Sequence, residues 1–259
     1  MISNKRYFLV PTMTVMIFAA IAVVPTHKRL VPPAAASTSG SPQKRINPAA
    51  NTPRTATPSV FDDGSVMIGA HSLAQITAQF WRWLYSIPVG VDPFSDTTGV
   101  NCGINQKGDV WFLAASINGN SSTTCTVPDD KTIVSAVFAS IDDYPCPDPT
   151  FQPPPNQSLE DFLLQDDAPF VDGATTMARL DGRPLSVKHI KSRLFSFTAA
   201  ASVSVFDPCV TGSPQLGVSD GYFVFIEPLH TGDHILELTW SGPPGNPASG
   251  TDTVRLKIR

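Results

Sequence analysis

The sequence predicts a mainly β protein, an antiparallel β-sandwich of immunoglobulin-like or jelly-roll kind with one leading amphipathic helix. Short runs rich in Val, Ile, Phe and Thr recur along the chain and alternate with turn-forming residues. Strong helical periodicity occurs only once. The roughly 200 residues from Val60 onward carry no internal repeat and are enough for one core, so we expect a single domain over 60–259.

The leading helix is predicted in SLAQITAQFWRWLYSI, where apolar residues recur at steps of three and four. Ser72 stands at the N-cap position and Pro88 ends the pattern. Trp81 and Trp83 project about 200° apart on a helix, so we expect Trp83 inside and Trp81 near the edge of the buried face. Ser158 predicts the start of a second, shorter helix in SLEDFLLQ.

Eight further segments predict strands because β-branched and aromatic residues dominate them. They begin at Val110, Thr132, Thr175, Leu185, Arg193, Gly221, His234 and Thr253. The dipeptides Asn118-Gly119 and Asp181-Gly182 are typical of hairpin turns. Thr231-Gly232-Asp233 predicts a turn from one strand to the next.

The chain begins with the features of an export signal. Lys5 and Arg6 precede an apolar run from Tyr7 to Val24, and Ala20-Ile21-Ala22 resembles a cleavage site. The run is also close to the minimum length that spans a bilayer. Residues 1–25 therefore predict either a cleaved signal peptide or an uncleaved anchor, which would make the membrane a partner of the N-terminal segment.

Residues 26–59 predict a disordered, basic linker rich in Pro, Ala, Ser and Thr. Residues 1–60 carry seven Lys/Arg and no Asp/Glu, whereas residues 61–259 carry eleven Lys/Arg and 22 Asp/Glu. A domain this acidic lacks the clustered cations that phosphate backbones require. We therefore expect no nucleic-acid partner.

The four cysteines all follow the export signal, and an even number of cysteines in an exported chain predicts disulfides. Three pairings are open. We favour Cys102 with Cys125 and Cys146 with Cys209, because the first pair brackets a compact strand-turn segment. These bonds place the acidic domain outside the cytoplasm, as a secreted, periplasmic or membrane-anchored protein.

The densest group of candidate ligands and proton carriers is the segment EPLHTGDHILEL, which contains Glu227, His230, Asp233, His234 and Glu237. A zinc or copper site is one interpretation. The predicted turn, however, puts His230 and His234 on different strands, and no third ligand can be assigned. Ordinary sheet residues are the interpretation that we favour, so no metal is predicted.

Aspartate doublets offer oxygen ligands that suit calcium. Because aspartate is also an ordinary turn residue, we favour structural turns and expect no cofactor. The doublets are Asp129-Asp130, Asp142-Asp143 and Asp166-Asp167.

Aromatic residues offer another binding hypothesis. Trp81 and Trp111, with neighbouring aromatic residues, would suit stacking against sugars or apolar ligands if they were exposed, although core packing is the role that we favour for most of this set. No nucleophile-elbow, phosphate-loop or dinucleotide motif is present, and the catalytic residues stay unknown.

Several segments resemble a family of uncharacterised exported proteins, mostly bacterial, with a β-rich domain. The resemblance covers about Phe80 to Leu238 and is carried by FWRWLYSIP, DPFSDTTGVNCGINQKGDVWFLAAS, Cys125-Thr126-Val127-Pro128 and SDGYFVFIEPLHTGDHILEL. It implies an exported β-rich domain in which Cys102 pairs with Cys125 and the turn before His234 belongs to the fold. It implies no activity.

These observations favour an exported or membrane-tethered β-sandwich that serves as a binding or structural component of the cell envelope, with an unknown ligand or envelope partner. The candidate binding residues are Trp81, Trp111, Glu227, His230, Asp233 and His234. The alternative is an exported hydrolase that uses carboxylates and histidines from separate strands, with or without a metal.

Overall fold

The computed structural model describes residues 66–116 and 119–259. The predicted signal segment and linker lie outside these residues. Within the described part, the chain forms two five-stranded sheets and a two-stranded ribbon. The mainly β class is therefore confirmed, and the two larger sheets pack face to face as a sandwich does.

The strands and helices follow in this order. The first half comprises β1 (Met67–Ile68), β2 (His71–Ser72), α1 (Leu73–Tyr85), β3 (Val110–Leu113), β4 (Ser122–Val127), β5 (Thr132–Tyr144) and α2 (Leu159–Val171). The second half comprises β6 (Thr175–Leu180), β7 (Arg183–Leu185), β8 (Lys188–Lys191), β9 (Phe195–Thr198), a 3₁₀ helix (Ala201–Val205), β10 (Pro214–Ile226), β11 (Gly232–Ser241) and β12 (Ser249–Ile258).

Sheet 1 has the order β3-β5-β10-β8, and β9 also pairs with β10. Sheet 2 has the order β4-β12-β11-β6-β7. Most neighbours are antiparallel, as predicted, but β3 runs parallel to β5 and β4 runs parallel to β12. Strands β3 and β4 each lie at an edge of their sheet.

The core of the sandwich lies between the two sheets. Val224 and Ile226 of β10 meet Leu236 and Leu238 of β11 in this layer, and all four side chains are buried. Burial of apolar surface on this scale is the main stabilising contribution to such a fold. The same layer includes Leu113, Val127, Ile133, Val137, Ala178, Val254, Leu256 and Ile258.

Helix α1 covers the opposite face of sheet 1. Ser72 accepts a hydrogen bond from the backbone N–H of Gln75, whose side chain accepts one from the N–H of Ser72, so a full capping box starts the helix. Its apolar side, which includes Ile76 and Phe80, packs against Phe223 of β10. The predicted helix is thus present, although the ribbon of β1 and β2 precedes it.

Helix α2 begins at the predicted cap, where the Ser158 hydroxyl accepts a hydrogen bond from the N–H of Asp161. Leu163 of this helix packs with Phe151 and with Val218 of β10. Strand β10 therefore contributes to each of the three apolar clusters found in the described part of the chain. Val218 contacts the α2 cluster, Phe223 contacts the α1 cluster, and Val224 belongs to the core between the sheets.

Several strand predictions need correction. The segment from Arg193 is not one strand, because β9 ends at Thr198 and a 3₁₀ helix follows. The segment from Leu185 divides into β7 and β8. Strand β4 was not predicted, because its Ser/Thr-rich sequence lacks the large apolar residues that mark a strand. The short strands β1 and β2 were not predicted either.

Both favoured disulfides are present, Cys102–Cys125 and Cys146–Cys209. They fit an oxidising environment outside the cytoplasm.

The Asp181-Gly182 turn is confirmed as the hairpin between β6 and β7, and both residues have positive φ as a type I′ turn requires. The Asn118-Gly119 turn includes a residue outside the described ranges. No helix in the described ranges is long and apolar enough to cross a membrane.

Candidate functional site

The histidine-containing segment after β10 does not gather its ligands at one point. His230 lies in the loop between β10 and β11, so the expectation that the turn puts His230 and His234 on two different strands is wrong. The turn predicted at Thr231 is part of a longer connection, because β10 already ends at Ile226 and β11 begins at Gly232. Glu227 is exposed in this loop, and the Asp233 carboxylate lies 3.5 Å from the Arg259 guanidinium.

His234 binds instead to an acid from a distant turn. Its Nδ1 lies 2.7 Å from Asp181 Oδ2, and its Nε2 lies 3.1 Å from the backbone carbonyl oxygen of His230. The hydrogen bond with Asp181 raises the pKa of His234, against a smaller opposing effect of burial. The same hydrogen bond, with one from the N–H of Ile235, lowers the pKa of Asp181. The pair is an ion pair at the surface of sheet 2.

The tryptophans are mainly core residues. Trp81 is as buried as Trp83, so the expectation that Trp81 lies near the edge of the helix face is wrong. Sheet 1 reaches Trp81 because Ser219 Oγ of β10 accepts a hydrogen bond from Trp81 Nε1 at 2.9 Å. Trp83 Nε1 donates to the carbonyl oxygen of Ile104 at 2.8 Å. Trp111 is half-buried and packs against the core between the sheets.

A group of charged side chains lies where α2 ends beside sheet 1. We call Asp172, His189, Lys191 and Asp220 the ionic cluster. His189 Nε2 lies 2.6 Å from Asp220 Oδ1 and 3.7 Å from Asp172 Oδ1. Lys191 Nζ lies 2.9 Å from Asp220 Oδ2 and 3.2 Å from Asp172 Oδ1. One ammonium group thus bridges two carboxylates.

The register of sheet 1 explains this convergence. Strand β8 pairs with β10 so that Lys191 stands opposite Asp220 and His189 opposite Tyr222. Side chains two residues apart lie on the same face of a strand, so all four project from one face of sheet 1. Asp172 joins them from the C-terminal end of α2.

The ionic cluster extends from the protein interior to the surface. The exposed fraction of the side chain is 0% for Asp220, 4% for His189 and 12% for Lys191, but 50% for Asp172. Tyr222 stacks on the imidazole of His189, with ring centroids 4.4 Å apart and planes inclined by 16°. Burial lowers the pKa of Lys191, but the hydrogen bonds and charges of Asp220 and Asp172 outweigh it, so the pKa of Lys191 is raised overall.

Sequence analysis did not select any member of this cluster. The available signal was alternation within two strands. KHIK places His189 and Lys191 on one face of β8, and SDGY places Asp220 and Tyr222 on one face of β10. His189 and Asp220 are 31 residues apart in sequence, however, and only the register of the strands brings them into contact.

Three ligand atoms of the ionic cluster, from Asp172, His189 and Asp220, all lie within 4.8 Å of one another. Asp143, Asp207 and Cys209 form a second such group among the described residues, but the sulfur of Cys209 belongs to a disulfide. Asp129-Asp130 lies in a turn as expected, but Asp142-Asp143 lies in β5 and Asp166-Asp167 in α2, so the expectation of structural turns is wrong for these two doublets.

A groove of about 560 Å³ runs along the polar side of α1. Arg82 is held in it by two contacts, since its Nε donates to the carbonyl oxygen of Ser196 at 2.8 Å and its guanidinium lies 5.1 Å from the centroid of the Phe195 ring. We call this the α1 groove. Its lining comprises His71, Ser72, Ala74, Gln75, Ala78, Gln79, Arg82, Arg193, Leu194 and Phe195.

No protein-family model matches the chain, and no curated protein matches it. A solved structure described as the solution structure of amebosin matches with 12% sequence identity and a TM-score of 0.23. The match covers 59% of this chain and 100% of that chain. A similarity at this TM-score carries no argument about fold or function.

Proposed function

We propose that this chain is an exported protein whose β-sandwich domain binds a component of the cell envelope. Support for export comes from the apolar run of residues 7–24 behind two basic residues and from the disulfides, which use all four cysteines of the chain. The basic linker of residues 26–59 holds the domain near an anionic surface when the N-terminal segment is retained.

The α1 groove is the observation that carries the binding hypothesis. Arg82 and Arg193 both line it, on a domain in which acids outnumber basic residues two to one, and the Arg193 guanidinium also pairs with Glu160 Oε1 at 2.9 Å. The contacts with Phe195 and Ser196 fix the Arg82 side chain before a ligand binds, so little side-chain entropy is lost on binding.

The residues of the α1 groove define the chemistry of its ligand. Guanidinium groups bind carboxylates and phosphates through paired N–H donors. The amides of Gln75 and Gln79 suit hydroxyl groups, and Ala78 with Leu194 supplies an apolar surface. An acidic polysaccharide or another polyanionic envelope polymer combines these features.

The test is sedimentation of the purified protein with the envelope fraction of the producing cells, at low and at high ionic strength. We expect binding that weakens with salt and that falls at least about tenfold in the double variant Arg82→Gln/Arg193→Gln, because two charged contacts are lost. Arg255→Gln is the matched control, since Arg255 is an exposed arginine on sheet 2. Equal binding of all three proteins would reject the α1 groove as the binding site.

Export is tested separately, by cell fractionation with thiol labelling before and after reduction. We expect the chain outside the cytoplasm, with no labelled cysteine before reduction and four after it. A cytoplasmic chain with four free thiols would reject export.

The alternative function, an exported hydrolase, draws support from the short contact between His189 and Asp220. A carboxylate that orients a histidine is a common arrangement for proton transfer. The 4% exposure of His189 argues against direct contact with a substrate. Hydrolysis of ester, glycoside and peptide substrates that is lost in His189→Gln and kept in His234→Gln would favour this alternative over a binding domain.

A further inference from the structure

We propose that the ionic cluster is a binding site for a divalent transition-metal ion of the zinc type, and that Lys191 occupies the position of the ion when no metal is bound. The ligands are His189 Nε2 and one carboxylate oxygen each from Asp172 and Asp220. They come from three elements, namely β8, the end of α2 and β10. This site is independent of the α1 groove and of the binding function proposed for it.

The charges of the cluster favour a doubly charged ion. Two carboxylates contact one ammonium group and the imidazole of His189, and the Asp220 carboxylate is fully buried. A buried carboxylate requires a compensating cation, because removing its charge from water is unfavourable. With His189 as the neutral imidazole that binds a metal, the ammonium of Lys191 compensates one of the two negative charges, whereas a divalent ion compensates both.

The distances between the ligand atoms also fit. A tetrahedral ion with ligands at about 2 Å holds each pair of ligand atoms about 3.3 Å apart. His189 Nε2 is now 2.6 Å from Asp220 Oδ1 and 3.7 Å from Asp172 Oδ1, so shifts of less than about 1 Å bring both pairs to that separation. The combination of one imidazole and two carboxylates suits zinc and similar ions better than calcium, which takes six or more oxygen ligands.

Lys191 can leave the site without disturbing the core. It lies on β8, which ends the main strand path of sheet 1, and its side chain is 12% exposed. Asp172, half exposed, provides a route from solvent to the buried ligands. Tyr222 stacks on the His189 ring and keeps its plane in position while the lysine exchanges for the ion.

The first test is a calorimetric titration of the metal-free, full-length protein with Zn²⁺. We expect one ion per chain at this site. Lys191→Met should tighten binding about tenfold, because it removes the competing ammonium group. His189→Gln and Asp220→Asn should abolish the binding. His234→Gln is the matched control, since His234 is also paired with an aspartate, and it should bind like the wild type.

The second measurement needs no variant and so does not depend on the folding of one. Zn²⁺ should release the Lys191 amine into solvent and increase its acetylation rate, measured by mass spectrometry, relative to Lys131. The proposal is overturned if neither the wild type nor Lys191→Met binds Zn²⁺, if Zn²⁺ binds equally well to a folded His189→Gln variant, or if bound Zn²⁺ leaves Lys191 acetylation unchanged.

Discussion

The indole Nε1 of Trp81 donates a hydrogen bond to the hydroxyl oxygen of Ser219 at 2.9 Å, across 138 residues of sequence. Both side chains are buried, and the bond joins α1 to the middle of β10. The backbone N–H of Ser219 in turn donates a hydrogen bond to the Ser192 hydroxyl oxygen at 2.8 Å. The helix is therefore fixed to sheet 1 by a directional polar contact as well as by apolar packing.

The Trp81–Ser219 bond should be measurable in a double-mutant cycle. We expect a coupling energy of about 1 kcal/mol between Trp81→Phe and Ser219→Ala, because the bond is buried and neutral. Urea unfolding of the wild type, both single variants and the double variant measures it. Strictly additive effects would mean that the bond contributes nothing to the free energy of unfolding.

Sequence patterns could predict the elements with strong local signals. The apolar spacing and the Ser72 cap of α1 lie within one short segment, and so do the Val- and Ile-rich run of β5 and the Ile- and Leu-containing run of β11. Strand β4 could not be recognised this way, because its polar residues form a strand only when β12, near the other end of the domain, pairs with it. Tertiary pairing decides such a segment.

The candidate sites show the same limit. Asp181 was recognised as a turn residue and His234 as a candidate ligand, but their contact spans 53 residues. Alternation in β8 and β10 assigns His189 and Asp220 to faces of their strands, while the register that makes them neighbours depends on the whole sheet.

The buried ion pair of the cluster should matter far more than an exposed one. We expect Asp220→Asn to lower the free energy of unfolding by about 3 to 5 kcal/mol, since Lys191 loses its buried partner. Asp130→Asn is the matched control, because Asp130 is 67% exposed and pairs with Lys131 at the surface. The control should change stability by less than about 0.5 kcal/mol. Equal effects in urea unfolding would contradict the assigned role of the cluster.

The His234–Asp181 pair predicts a window of pH dependence. The raised pKa of His234 gives a stabilisation that is complete below its unfolded value of 6.5 and is lost as pH rises through the folded value. The lowered pKa of Asp181 gives a second stabilisation, which is present above the unfolded pKa of 3.8. This stabilisation is lost as pH falls through the pKa of Asp181 in the folded protein. The pair therefore stabilises the fold most between these two unfolded values.

His234→Gln tests this window. We expect it to destabilise the protein by at most about 1 kcal/mol within the window and by less at alkaline pH, as for other surface pairs. His230→Gln is the control, because His230 contacts His234 through its backbone carbonyl. An imidazole NMR titration of His234 with a midpoint at or below 6.5 would contradict the prediction.

Removing the disulfides should show the effect of loop length. The Cys102–Cys125 bond closes a separation of 23 residues and the Cys146–Cys209 bond one of 63. Chain entropy alone predicts losses of about 3.4 and about 4.3 kcal/mol for the paired Cys→Ser variants. Thermal and urea unfolding of the two double variants shows which disulfide contributes more to the free energy of unfolding. A larger loss of stability on removing Cys102–Cys125, which closes the shorter loop, would argue against this account.

Strand β10 contributes to the cluster beneath α1, to the cluster beneath α2 and to the core between the sheets. Neither helix can therefore detach without exposing side chains of the same strand. Amide protons in the middle of β10 should exchange with solvent only when the whole domain unfolds, while those of β7 exchange through local opening. A single strand thereby joins the three apolar clusters of the described residues into one cooperative unit.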